Sequence, residues 1–341
     1  MNSLQRVLAI LKGEPVDRPA FTLLLSLYGA RLTGASLRDH YSDPRVYVEG
    51  QCAVREAFGT DLLFSPFAIP LMAEAFGSTL QHHATQPPTL ARPACASARE
   101  ALAKAMPEPD GPPALRYLLD SVGLLSKRLA GEAVLVGVMP SPVDLPAMLL
   151  GAETWMETLL FDQPAALALL ERCAGFCAAF GNAMLAEGAT MVAFTANFAN
   201  PDMLPRKYIE ASVLPALQSW TAKIKGPLVF HHGGYRLVPH LDLLKDLPQV
   251  VAYVLDVRDN LLEGRLSLGT APLLLGGLDG SALETFNPET LKQRCHEVLL
   301  AQKSDPRFLL ASGCADIPLA TTPETLYAVR AAVLEAAGVS L

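Results

Sequence analysis

Short, continuous apolar runs alternate along the chain with longer stretches in which apolar positions recur every three or four residues. Eight runs stand out: Ala20–Ser26, Asp61–Ser65, Ala133–Met139, Thr190–Thr195, Pro227–His231, Val250–Asp256, Pro272–Asp279 and Phe308–Cys314. Most lack polar alternation, the pattern of parallel strands covered on both faces. The stretches between them have helical spacing, as in Trp155–Ala186 and Pro205–Ile224. Pro288–Gln302 opens with Asn287 as a helix cap and proline at the first helical position, and Thr322-Pro323-Glu324 repeats that start before the last helix. Eight strand–helix alternations predict an α/β fold, a (β/α)8 TIM barrel.

Two segments fall outside the repeat. Leu4–Leu11 reads as a short amphipathic helix ahead of the first strand. Pro66–Glu132, after the second run, is too long for one helix and its loops. Its Pro87-Pro88 pair and the Pro107–Pro113 stretch predict a hairpin and extra helices inserted over the barrel mouth. Barrels of this kind reach about 250 residues or more as one unit, so residues 1–341 are expected to form a single decorated domain.

Composition then narrows the function. The chain is 51% hydrophobic and carries a formal net charge of −7, with no Lys/Arg-rich run to match a nucleic acid. Its most apolar runs are far shorter than the ~20 residues of a spanning helix. The opening Met1-Asn2-Ser3-Leu4-Gln5-Arg6 lacks the charge pattern of a signal peptide. These features predict a soluble, cytoplasmic protein with no nucleic-acid or membrane partner. Six cysteines in 341 residues do not make a disulfide framework. Cys173 and Cys177 share one helical face and read as small core residues, as do Cys52, Cys95 and Cys295.

Catalytic groups of such barrels sit at the C-terminal strand ends. In order, those ends supply Ser26, Ser65, Met139, Thr195 with Asn197, His231-His232, Asp256, Asp279 and Cys314. His and Cys are preferred zinc donors, and Gly233-Gly234 after the histidines allows a sharp turn. In an extended strand two successive side chains face opposite ways, so one histidine lines the mouth, and His231 is favoured. Asp256 is either a functional carboxylate or the partner of Arg258, and Asp279 either an acid/base group or a turn residue. Glu74, in the insertion, is either a site carboxylate or part of a solvated helix face. His82-His83, among Thr, Gln and Pro, reads as an exposed hairpin.

The segment from Arg6 to Pro19, Arg-Val-Leu-Ala-Ile-Leu-Lys-Gly-Glu-Pro-Val-Asp-Arg-Pro, resembles the start of the uroporphyrinogen decarboxylase superfamily. The resemblance continues through Asp61–Gly77, Leu149-Leu150-Gly151, Asn200-Pro201-Asp202, Val213-Leu214-Pro215, Leu278-Asp279 and Ser312-Gly313-Cys314 with Ile317-Pro318. That superfamily also holds corrinoid-dependent methyltransferases acting on coenzyme M and related acceptors. Its decarboxylases use an Arg-rich loop and a second-strand Asp to grip a tetrapyrrole. Here the loop has Arg31 alone and the second strand ends Ser65-Pro66, so porphyrinogen decarboxylation is not expected.

The methyltransferase branch binds zinc through a His-x-Cys-Gly motif after the fifth strand and a Cys after the eighth. His231 and Cys314 match two of these ligands, whereas the middle position is Gly233. The resemblance therefore implies methyl transfer between methylcobalamin or a corrinoid protein and a small acceptor such as a thiol. Zinc would be held by His231 and Cys314, completed by His232, Glu74 or another carboxylate, with Asp256 and Asp279 as acid/base candidates. Ser65, Asn197, Gly233 and Tyr28 are expected to face the substrate, with Gly233 opening room for it. The alternatives are a metal-free decarboxylase or lyase acting on a small acid through His231, and a non-catalytic corrinoid-binding barrel.

Overall fold

The computed structural model describes residues 1–338. Ten strands follow in chain order: β1 (Phe21–Thr22), β2 (Leu62–Phe64), β3 (Thr79–Gln81), β4 (Thr89–Arg92), β5 (Val134–Pro140), β6 (Met191–Thr195), β7 (Leu228–His231), β8 (Val250–Val254), β9 (Leu273–Asp279) and β10 (Phe308–Gly313). Eight of them form one sheet in the order β1-β10-β9-β8-β7-β6-β5-β2, and every pairing within it is parallel. The two end strands meet: Asp61 N–H donates to Phe21 O at 2.9 Å, and Thr22 Oγ1 donates to Leu62 O at 3.3 Å. The sheet is thus a nearly closed (β/α)8 TIM barrel, as the alternation of runs predicts.

The unbroken apolar runs follow from this closure. Val134, Val136, Met191, Ala193, Val229, Val254, Leu275 and Ala311 form an inner cluster, while their neighbours Leu135, Val192, Phe194 and Phe230 join the layer between strands and helices. Both faces of each strand are dry. The first strand is shorter than its apolar run, because beyond Thr22 the chain leaves the ladder and Leu24 N–H donates to Ser312 Oγ at 2.8 Å. Asn287 and Thr322 cap the helices Pro288–Ala301 and Pro323–Ala336, each accepting a backbone N–H three residues on.

The N-terminal helix, Ser3–Lys12, is fixed by a reciprocal Asn2/Gln5 capping box and a left-handed Gly13. Its Val7 and Ile10 join the inner cluster beside Ala20, Leu62, Val134, Leu273 and Leu309. These are residues at or near the N-terminal strand ends, so the helix plugs the bottom of the barrel. Residues 66–132 divide in two. β3 and β4 form the expected antiparallel hairpin, tied to the helix Leu145–Leu150 through Ser78 Oγ and Met148 O. Pro113–Leu129, by contrast, packs on the helix Pro44–Phe58 and on β5, taking its place in the ring of barrel helices. The 24-residue helix Gln163–Ala186 is long and apolar enough to cross a membrane by length and composition. Here its Leu169, Leu170, Phe176, Phe180 and Met184 are buried in the fold.

His40 makes the packing sensitive to pH. Its Nε2–H donates to Ser26 O at 2.8 Å, its ring lies against Tyr41 and Tyr47, and its Nδ1 is buried without a partner. Burial lowers its pKa from 6.5 to about 4. The unfolded chain therefore binds the extra proton first as the pH falls. The contribution of His40 to stability should be full above 6.5 and should be lost between 6.5 and 4, by about 1.4 kcal/mol for each unit of its shift. Urea unfolding of wild type and His40→Gln at both ends of that window checks this: the variant should lose less on acidification, and equal losses would remove His40 as the cause.

Candidate active site at the barrel mouth

The histidine pair does not obey simple strand alternation. β7 ends at His231, and Gly233 and Gly234 follow with φ of 65° and 96°. The chain can therefore turn back at once, and the two imidazoles stack with centroids 4.7 Å apart and planes 19° from parallel. His231 shares the inward side of β7 with Val229 and lines a cavity in the barrel. Gly233 N–H donates to its Nδ1 at 3.1 Å, which leaves the ring proton on Nε2, a buried atom with no partner.

His232 is fully buried and turns toward the ends of β8 and β10. Cys314 N–H donates to its Nε2 at 3.0 Å, and Asp256 Oδ2 lies 3.2 Å from its Nδ1. Gly234 N–H also approaches Nδ1, at 3.0 Å. A neutral imidazole accepts at one nitrogen only, and the carboxylate beside Nδ1 favours the proton there, with Cys314 N–H as the bond retained. Close approach is needed for this: a Cβ at Gly313 would sit 3.1 Å from His232 Nε2. Cys314 itself is left-handed, with φ of 72°, and places Sγ 3.9 Å from Asp256 Oδ2.

His232, Asp256 and Cys314 thus bring an imidazole, a carboxylate and a thiol together, with ligand atoms all within 4.8 Å of one another. Burial lowers the pKa of His232 against the opposing pull of Asp256, and lowers that of His231 to about 3, aided by its charged-state repulsion with His232. Burial works to raise Asp256, but hydrogen bonds from Arg258 and the nearby His232 outweigh it and hold the carboxyl below its usual range. Burial, then Asp256 and Asp279, push the Cys314 thiol up to about 11. Arg258 grips Asp256 at both oxygens, Nε to Oδ1 at 2.6 Å and Nη2 to Oδ2 at 2.8 Å, while donating to Gly234 O. The pairing of Asp256 with Arg258 and its place beside the His and Cys are both realised.

Three donors of these types suit zinc once His232 frees the Nε2 lone pair now taken by Cys314 N–H, and a three-residue set leaves the open position characteristic of catalytic zinc. The set differs from the one expected from the sequence. His231 is not a member; it is turned inward by its place on β7, and His232 takes its place. Glu74 is exposed at the end of the helix Pro70–Glu74 and stays outside the cluster. Asp279 accepts from Ser281 N–H and Oγ, the turn arrangement, though it lies close enough to act on the Cys314 thiol. Ser65 Oγ accepts Val138 N–H at 2.8 Å, and Tyr28 is fully buried with its hydroxyl donating to Thr321 O at 2.7 Å. Both are framework groups and neither lines the cavity. His83 bonds Thr89 within the hairpin.

Residues 2–336 match the family described as "Uroporphyrinogen decarboxylase (URO-D)". The chain belongs to this family. Among curated relatives, "Methylcobamide:CoM methyltransferase MtaA" of Methanosarcina barkeri is 24% identical, with 96% of each chain covered. A "Uroporphyrinogen decarboxylase" of Thioalkalivibrio sulfidiphilus is 28% identical, over 83% of this chain and 85% of its own. In three dimensions the chain is similar to a "methyltransferase from Methanosarcina mazei", with TM-score 0.86 at 20% identity, covering 98% of this chain and 99% of the other.

Two features of this uroporphyrinogen decarboxylase family member escaped the sequence reading. Asp144 is buried and accepts from Thr195 Oγ1, Asn197 N–H and Nδ2, and Phe198 N–H, at 2.8–3.2 Å, so it builds the end of β6. The Pro-rich turn after β5 was its one signal. Asn197, thus anchored, fills the space above Gly233: a Cβ there would run into Asn197 Oδ1. Gly233 therefore opens no room for substrate. Gly233→Cys should cost about 1–3 kcal/mol from the left-handed backbone and the clash, read by urea unfolding, and Asn197→Ala should recover part of it. An unchanged midpoint would mean that Asn197 yields freely.

Proposed function

We propose that this family member transfers a methyl group between a corrinoid, free or carried by a partner protein, and a small acceptor such as a thiol. The carrying observation is the convergence of His232, Asp256 and Cys314 at the ends of β7, β8 and β10. These three residues would hold zinc, which as a Lewis acid lowers the pKa of a bound thiol and presents a thiolate nucleophile. The protein's own part is to position and to exclude water. His232 and Asp256 are almost completely buried, and Arg258 orients the carboxylate while covering it from the solvent side. Gly313 and the left-handed Cys314 bring the sulfur against the carboxylate.

The relatives named for methyl transfer support this reading over decarboxylation, and so does the cation count. No Lys or Arg lines the inner cavity, and Arg31, alone in its loop, donates to the carbonyls of Leu319 and Thr321. A substrate with several carboxylates needs several such cations. The test is visible absorbance of methylcobalamin mixed with the zinc-loaded chain, with and without a thiol. Demethylation of the corrinoid that requires both thiol and protein is expected. A spectral change without turnover would instead favour a binding barrel, and turnover of a small acid with no corrinoid present would favour a lyase.

A further inference from the structure

Beyond Gly313 the chain turns at once. Cys314 has φ of 72°, one of three non-glycine residues with positive φ among the described residues. A residue with a side chain is disfavoured in that conformation and keeps it only where its surroundings fix it. Ties to the chain leaving β1 bracket the turn. Ser312 Oγ accepts Leu24 N–H at 2.8 Å, Ile317 N–H donates to Leu24 O at 3.0 Å, and Asp316 Oδ1 accepts Leu27 N–H at 3.1 Å. On the β9 side Gly280 packs closely: a Cβ there would sit 2.8 Å from Gly313 O and 3.0 Å from Ala315 O.

Among these ties the side chain of Asp316 stands out. It is buried, and its Oδ2 has no partner among the described residues. A buried carboxyl with one oxygen unmatched is unfavourable in itself, and the bond from Leu27 N–H fixes its direction. The segment that supplies this bond is itself anchored: Ser26 O accepts from His40 Nε2 and Gln51 Nε2, and Ser26 Oγ accepts from Phe67 N–H. At present Cys314 N–H also donates to His232 Nε2. When His232 offers that lone pair to a metal the bond is given up, and the turn is left to its packing on Gly280 and its ties to the chain after β1. We infer that Asp316 is a positioning residue of the reacting site: it holds the left-handed Cys314 turn to the chain after β1, so that Sγ stays beside Asp256 and His232. The inference rests on the reading that Cys314 is a metal ligand.

Titration of the metal-free chain with cobalt(II), whose bond to a thiolate absorbs in the near ultraviolet, tests it. Asp316→Ala should bind cobalt at least about tenfold more weakly than wild type, with less thiolate absorbance per cobalt bound. Asp316→Asn, which keeps an oxygen for Leu27 N–H, should stay within about threefold of wild type. Without metal, iodoacetamide should alkylate Cys314 of Asp316→Ala about threefold faster or more, because the thiol is no longer held beside the carboxylate. Mass spectrometry of the Cys314 peptide reads that rate. Urea unfolding accompanies each variant: a merely structural residue would lower the midpoint and leave cobalt affinity, absorbance and alkylation of the folded chain unmoved. If Asp316→Ala does not fold, Asp316→Ser, too short to reach Leu27 N–H, takes its place. Wild-type affinity and absorbance in the alanine variant, or an asparagine variant as weak as alanine, would overturn the inference. Wild type that binds no cobalt would refute the metal reading instead. Alkylation then decides the role of Asp316 by itself: a faster rate in the alanine variant upholds it, and an unchanged rate refutes it.

Discussion

His232→Ala is expected to leave the purified chain without zinc, while His231→Ala keeps about one equivalent. The two neighbours differ by one residue in sequence and by everything in surroundings. His232 lies beside both other donors of the cluster, with Asp256 Oδ2 3.2 Å from its Nδ1 and all three ligand atoms, Cys314 Sγ among them, within 4.8 Å of one another. His231 is turned inward among the cavity residues and is not within the group. Removing one of three ligands should weaken zinc at least about 100-fold, the upper end of what disturbing a mere supporting residue costs. Cys314→Ser and Asp256→Ala should behave like His232→Ala. Elemental analysis after dialysis against trace zinc reads the result, with circular dichroism to show that each chain is folded. Zinc retained by His232→Ala but lost by His231→Ala would restore the pairing expected from the sequence and refute the geometric set.

Asp61→Ala is expected to cost about 3–5 kcal/mol, as for other broken buried ion pairs. Asp61 is completely buried at the seam between β1 and β2. Its Oδ1 accepts from Arg6 Nη1 at 2.6 Å and Arg18 Nη2 at 3.0 Å, and its Oδ2 from Arg18 Nη1 at 2.8 Å and Phe21 N–H at 3.0 Å. One carboxylate thus joins the plug helix, the chain entering β1 and the start of β2. Alanine would leave Arg6, itself nearly buried, with Asp17 as its remaining carboxylate, and Phe21 N–H with none. Such a loss is a large part of the 5–15 kcal/mol that usually holds a domain. Urea unfolding checks it, and a loss below about 1 kcal/mol would mean that the seam is held by apolar contacts alone.

The barrel was legible because its strands are dry on both faces, so each announced itself as an apolar run, and because Asn287-Pro288 and Thr322-Pro323 carry local start signals. The strand ends likewise pointed to Asp256 and Cys314. What stayed hidden depends on where a chain goes once it leaves a strand. Alternation would place the two histidines on opposite sides, but β7 stops at His231 and the glycines fold the pair into a stack. Tyr28 and Ser65 lie near strand ends in sequence, yet their hydroxyls satisfy distant backbone groups. Asp144 acts through hydrogen bonds to residues some fifty positions away, which no local pattern encodes.

The plugged bottom of the barrel has a kinetic consequence. With Val7 and Ile10 seated against the strand starts, the tube is blind at one end, and every small molecule must use the other. A corrinoid carrier docking over that same mouth would shut the one doorway. On the proposed reaction the acceptor must therefore arrive first and its methylated product leave last, so initial-rate patterns should be those of compulsory order rather than random entry.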